Sequence, residues 1–116
     1  MASANLFTHA NEPVLILRPR TITFSSSCLP KLSTEYVELL FNPVERMLAV
    51  RPCSADHANA IRWSNKPVGA TAFCRMLFGL LNWDEGFIFR VPSAVLADND
   101  QKILFFDLDN FIGHER

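Results

Sequence analysis

Hydrophobic and polar positions alternate along several short stretches of this chain, and "YVELLFNPVERMLAVRP" (Tyr36 to Pro52) is the clearest of them. On an extended strand Val37, Leu39 and Phe41 share one side, and Tyr36, Glu38 and Leu40 share the other. The return strand places Leu48 and Val50 on one side and Met47, Ala49 and Arg51 on the other. Pro43 cannot donate to a ladder, so Asn42-Pro43-Val44-Glu45 is the turn. Both faces of this predicted hairpin are largely apolar. It therefore needs to be sandwiched, closed into a barrel, or swapped into a partner.

The flanking segments follow the same logic. Val14 to Leu17 forms a short apolar strand, Pro19 interrupts it, and Arg20 to Phe24 resumes with alternation. The Ser cluster of "SSSCLPKLS" predicts an N-cap and one or two helical turns, kept short because Pro30 is tolerated only in a first turn. Residues 53–60 read as a linker and Ile61 to Trp63 as a strand. "ATAFCRMLFGLLNW" has Phe73, Leu77 and Leu80/Leu81 at helical spacing, with Met76 beside them. "FIFRVP" and "KILFFDLD" predict two further strands joined by a longer loop containing "ADNDQ".

Both halves thus follow one order: strand, break, extended segment, short helix, turn, hairpin. The predicted fold class is α+β and β-rich, with two pseudo-symmetric β-α-β-β units spanning 14–52 and 61–108 around a linker at 53–60. They would form one compact domain over 13–116 and close a small barrel, with residues 1–12 as a flexible arm.

Composition sharpens this picture. Hydrophobic residues make up 49% of the 116 residues, and ten Phe stand against one Tyr, so most of the aromatic content belongs inside. The formal net charge is −1. Residues 1–66 carry seven Lys/Arg and five Asp/Glu (+2), whereas residues 67–116 carry four and seven (−3). A basic and an acidic surface can coexist on one small domain. Cys28, Cys53 and Cys74 have no C-x-x-C spacing and read as reduced thiols of a cytoplasmic protein. No segment reads as a signal peptide or a membrane span.

The order of strand, short helix, turn and hairpin in "PRTITFSSSCLPKLSTEYVELLFNPVERMLAVRP" resembles the swapped-hairpin family that includes AbrB, MazE and MraZ. A second, fainter copy at 61–108 makes the tandem arrangement more similar to MraZ. The resemblance implies an interlocked hairpin barrel and DNA contact through Arg residues of the strand-to-helix loop. Arg20 stands where the family's Arg stands, but Pro19 replaces the preceding Gly and no Ile-Pro opens the helix. The second unit's "PVGATAF" has Gly69 and no Arg. The whole chain also resembles small reading frames associated with integrases and recombinases of Firmicutes mobile elements.

Candidate DNA-binding residues are Arg18, Arg20, Lys31, Arg46, Arg51, Arg62 and Lys66. Arg suits phosphate and guanine because its planar fork donates two parallel hydrogen bonds. The competing reading is that these charges solvate strand ends. Cys53, Asp56 and His57 lack the spacing of a metal site or a catalytic dyad. Asp98 and Asp100 read as a hairpin loop rather than a cation site, because the EF-hand Gly and Glu are missing. Trp63 and Trp83 read as core anchors rather than as stacking platforms. Recombinase chemistry is excluded: the one tyrosine, Tyr36, lies in a strand with no Arg cluster around it.

The expectation is a non-enzymatic DNA-binding or transcription-regulating protein of a mobile element. It would have no cofactor, no metal and no small-molecule substrate, with double-stranded DNA as its partner. The alternative is a protein-interaction module, accessory or antitoxin-like, that uses the acidic C-terminal half with Phe111 and Ile112 as anchors. A homodimer fits either expectation.

Overall fold

The computed structural model describes residues 12–92 and 94–115. The predicted flexible arm therefore lies, apart from Glu12, outside the described residues. Alternation is realised as strands throughout. Strands β1 (Val14–Leu17) and β2 (Thr21–Phe24) bury every second side chain, Leu15, Leu17, Ile22 and Phe24. A 3-10 helix (Ser26–Lys31) follows with Pro30 inside it. Ser25 at its start does not cap it but accepts the Val14 N–H at 2.9 Å, tying the helix to β1.

The predicted hairpin is present. β3 (Tyr36–Asn42) and β4 (Met47–Cys53) pair antiparallel from Tyr36↔Cys53 to Asn42↔Met47. The Asn42 Oδ1 accepts the Val44 and Glu45 N–H groups at 3.0 and 3.1 Å, and Arg46 takes the left-handed conformation (φ 56°) that closes the turn. Two-residue strands β5 (Ile61–Arg62) and β6 (Val68–Gly69) lead to helix α1 (Thr71–Leu81). The buried stripe of α1 is Cys74, Leu77, Phe78 and Leu81. It is rotated from the predicted stripe, so Leu80 is 54% exposed. Phe78 takes the inner place because it packs edge-on against Trp83 and Phe89, each at 5.5 Å. Asn82 in the left-handed region (φ 58°) ends the helix, and the Trp83 N–H reaches back to the Phe78 carbonyl.

The second half departs from the predicted hairpin. β7 (Phe87–Pro92) and β9 (Lys102–Asp107) lie in different sheets. The intervening segment forms a strand, β8 (Val95–Asp98), which pairs with β9 from Val95↔Phe105 to Asp98↔Lys102. Asp100 thus sits in a hairpin turn, as expected. A final strand, β10 (Ile112–Glu115), pairs with β7. The physical reason is competition for partners: β7 pairs with β1 and β10 on its two edges, leaving β9 to β4 and β8.

The result is two five-stranded antiparallel sheets, ordered β10-β7-β1-β2-β6 and β5-β3-β4-β9-β8. Their inner faces meet in one core. Phe24 of the first sheet stands 6.4 Å from Phe106 of the second and 4.7 Å from Trp63, whose Nε1–H donates to the Leu29 carbonyl at 3.1 Å. Trp63 and Trp83 are both buried, as core anchors. The contacts of Phe24 with Trp63 set β2 and β6 of one sheet beside β5 of the other, with β10 and β8 on the far side. No helix among the described residues is long and apolar enough to cross a membrane.

Candidate functional site

The fold sorts the seven candidate cations. Three are engaged within the molecule. Arg46 in the β3–β4 turn pairs with Asp109, Nε to Oδ1 at 2.6 Å. Arg51 on β4 faces Glu38 on β3 and forks onto its Oε1 through Nε (2.7 Å) and Nη2. Arg62 on β5 lies over the Tyr36 ring at 5.5 Å and donates to its hydroxyl at 3.2 Å. The other four, Arg18, Arg20, Lys31 and Lys66, have no ion-pair partner among the described residues.

Arg18 and Arg20 stand at one end of β2, and Lys31 and Lys66 toward its other end. Arg18-Pro19-Arg20 is the β1–β2 turn, closed by an Arg18 N–H to Thr21 carbonyl bond of 3.0 Å. The Arg20 carbonyl accepts the Ala70 N–H at 2.9 Å, which joins this turn to the end of β6. Lys66 stands in the β5–β6 connection, and Trp63 in the same connection donates to the Leu29 carbonyl of the 3-10 segment that carries Lys31 and to the Glu35 carbonyl just beyond it. Arg20, Lys31 and Lys66 are exposed and Arg18 is half-buried. Arg18, Arg20 and Glu85 line a shallow cleft of about 380 Å³, so one carboxylate is in the same neighbourhood. The opposite side, toward β8 and β10, carries Asp98, Asp100, Asp107, Asp109 and Glu115. Lys102, opposite Asp98, and Arg90, opposite Ile112, lie on this side too, so the segregation of charge is partial.

A second polar feature was not anticipated as a unit. Glu38, 6% exposed, is the one buried charged residue among those described. Its carboxylate takes the Arg51 guanidinium on one oxygen and the His57 Nε2 on the other at 2.9 Å. His57 accepts the Asn59 N–H on Nδ1 at 3.1 Å, so the ring latches the 54–60 loop to the sheet. The Ser54 hydroxyl donates to Asp56 at 2.5 Å and holds that carboxyl below its ordinary range. The pairing of Glu38 with Arg51 was readable from the turn, since a register closing at Asn42↔Met47 sets them opposite. Nothing in the sequence signalled His57.

The three thiols are free. Burial pushes Cys74 up to about 11. Burial also raises Cys28, and desolvation together with the Glu38 carboxylate raises Cys53. A raised thiol stays protonated at neutral pH and is a weak nucleophile. No group of His, Cys, Asp and Glu that could hold a metal ion occurs among the described residues.

Phe111 and Ile112, the candidate partner anchors, separate in role. Phe111 packs on Trp83 and Phe89 at 5.2 and 5.5 Å and remains 40% exposed. Ile112 opens edge strand β10 and is 55% exposed. A cleft of about 570 Å³ lies between β5, the 58–60 loop and the start of α1, and its lining residues carry no charge.

Comparison of the chain with protein-family models, curated proteins and solved structures returned no match.

Proposed function

We propose that this protein is a non-enzymatic DNA-binding or transcription-regulating protein that meets the duplex backbone with its β5–β6 side. One observation carries the reading: among the described residues Arg18, Arg20, Lys31 and Lys66 have no ion-pair partner, and they stand on the β1–β2 turn, the 3-10 segment and the β5–β6 connection, with Glu85 as the carboxylate that shares the Arg18/Arg20 cleft. Free cations neutralise phosphates and release counterions, whereas Arg46 and Arg51 already face carboxylates. The acidic far edge would repel DNA and so orient the approach. Arg18 and Arg20 on either side of buried Pro19 project from a fixed turn, which suits backbone positioning more than base reading. The swapped-hairpin assembly that the first unit resembles is the form in which such a turn would be presented twice.

Four phosphate contacts give a salt slope of about −4 and roughly a hundredfold loss of affinity between 50 and 200 mM salt. Binding to random duplex DNA should follow that slope, and Arg18→Ala/Arg20→Ala should reduce it by about 2. Lys31→Ala/Lys66→Ala should do the same, and Arg46→Ala should leave it unchanged. Absence of binding at low salt would sink the reading. It would favour instead a protein-interaction module that uses the acidic edge and the exposed Ile112.

A further inference from the structure

Among the described residues no further sheet or helix covers the outer face of the β5-β3-β4-β9-β8 sheet, on which the 54–60 loop stands through His57 at Glu38. One ladder level crosses it as Leu40↔Ala49, Ala49↔Phe105 and Phe105↔Val95, four apolar residues side by side. Leu40 is 41% exposed and Val95 63%. Met47 lies one level above this row, and Ala97 and Ile103 one level below. Soluble sheets leave one face to water when that face is polar; here an apolar row crosses the outer face between Asn42 and Asp107 one level above and Glu38 and Arg51 one level below.

The charges around the row say what covers it. At the β5 end stands Arg62, a cation with no carboxylate partner among the described residues. At the β8 end, beyond the Asp98↔Lys102 pair, stands the 99–101 turn with Asp100. Both are at the same end of the strands. Arg62 is level with Tyr36 and Tyr36 with Cys53, and continuing the β4–β9 register brings Cys53 level with that turn. Central strand β4 has two strands on either side. A half-turn about an axis along β4 therefore exchanges the basic end with the acidic end at the same level. It also sets Leu40 over Phe105 and Ala49 over Ala49. The His57 loop, which stands on this face beside β3, falls where the second copy presents only Ala97 and Ile103.

We infer that a second copy of this chain covers this face, forming a two-fold dimer in which Leu40 packs on Phe105 and Arg62 meets Asp100 of the 99–101 turn, each twice. A face that is basic at one end, acidic at the other and apolar between is complementary to itself under this one operation, as an isologous interface requires. The inference stands apart from DNA binding, because Arg18, Arg20, Lys31 and Lys66 lie off this face.

Sedimentation velocity on the full chain tests it, with circular dichroism reporting the fold. The 13.1 kDa chain should sediment as a dimer at micromolar concentration. Leu40→Asp should yield a folded monomer. Arg62→Asp should weaken dimerisation about tenfold, and Arg62→Asp with Asp100→Arg should restore it. A wild-type monomer at about 100 μM overturns the inference. So does a dimer insensitive to both single changes, or a charge exchange that fails to recover what Arg62→Asp loses.

Discussion

Two stretches of this chain read alike and fold differently. Tyr36 to Cys53 is one hairpin in one sheet. Phe87 to Asp107 looks like its repeat, yet β7 joins the first sheet and β9 the second. The difference lies in the connector. Four residues with an Asn at their head make a turn that leaves β3 no partner on that side but β4. The longer connector of the second stretch holds residues enough for a strand of its own, and β8 takes the place beside β9 that β7 would have filled. Alternation decides which face of a strand is buried; connector length decides which strand lies next to it.

The helical segments sharpen the same comparison, because each half buries one cysteine in its helix. Cys28 and Cys74 are both fully buried, and each donates to a strand carbonyl, of Val14 and Thr21. Burial raises both thiols, but Ser25 and Lys31 pull Cys28 back, whereas burial acts on Cys74 unopposed. The folded protein holds the Cys74 proton from its ordinary 9.0 up to about 11, a window in which the unfolded chain has released it. The unfolded state then binds fewer protons, so stability is complete below pH 9 and falls as pH rises through about 11. The loss is at most roughly 3 kcal/mol. Urea unfolding across this range should show the decline. Cys74→Ala should flatten it by more than Cys28→Ala does, and equal flattening would remove the distinction between the two halves.

Proline placed in β8 separates a strand from a loop. Alternate N–H groups of an antiparallel strand point to its partner, so one of the neighbours Leu96 and Ala97 donates to β9. Leu96→Pro or Ala97→Pro should therefore cost about 1–3 kcal/mol at one of the two positions and much less at the other. Were the segment a simple loop between β7 and β9, both would be tolerated, and urea midpoints would not move.

What the sequence disclosed follows from these physical differences. β3 and β4 were legible because seven residues alternate on each side of a turn whose chemistry is explicit. β8 was not, since three of its four residues are exposed, on both faces, and its burial does not alternate. β10 was missed for the same reason: all four of its residues are exposed. The face of α1 was read one position off because Leu80 and Phe78 are equally apolar in sequence, and only the Trp83–Phe89 stack, 4.1 Å apart, selects Phe78. Of the engaged cations, Arg51 could be set opposite Glu38 from the turn, but the partner of Arg46 could not be read, because Asp109 lies sixty-three positions away.

The two ion pairs of the β3–β4 hairpin, one toward its base and one at its tip, extend the comparison to the smallest effects. Glu38 is 6% exposed and binds both Arg51 and His57. Asp109 is largely in water, with side-chain exposures of 37% for Arg46 and 59% for Asp109. Replacing Glu38 by Ala leaves a guanidinium and a ring nitrogen without their acceptor and frees the 54–60 loop, a cost of about 1–3 kcal/mol. Replacing Asp109 by Ala should cost no more than about 0.5 kcal/mol, because exposed pairs gain little over their hydration. Hydrogen exchange adds a readout that stability alone does not give. In Glu38→Ala the Asn59 amide, bonded to the His57 ring, should lose protection while the Val44 and Glu45 amides keep theirs. If Asn59 exchanges at the same rate in both variants, His57 is not the latch, and the loop is held by its own turns, the Ala60 N–H to His57 carbonyl bond among them.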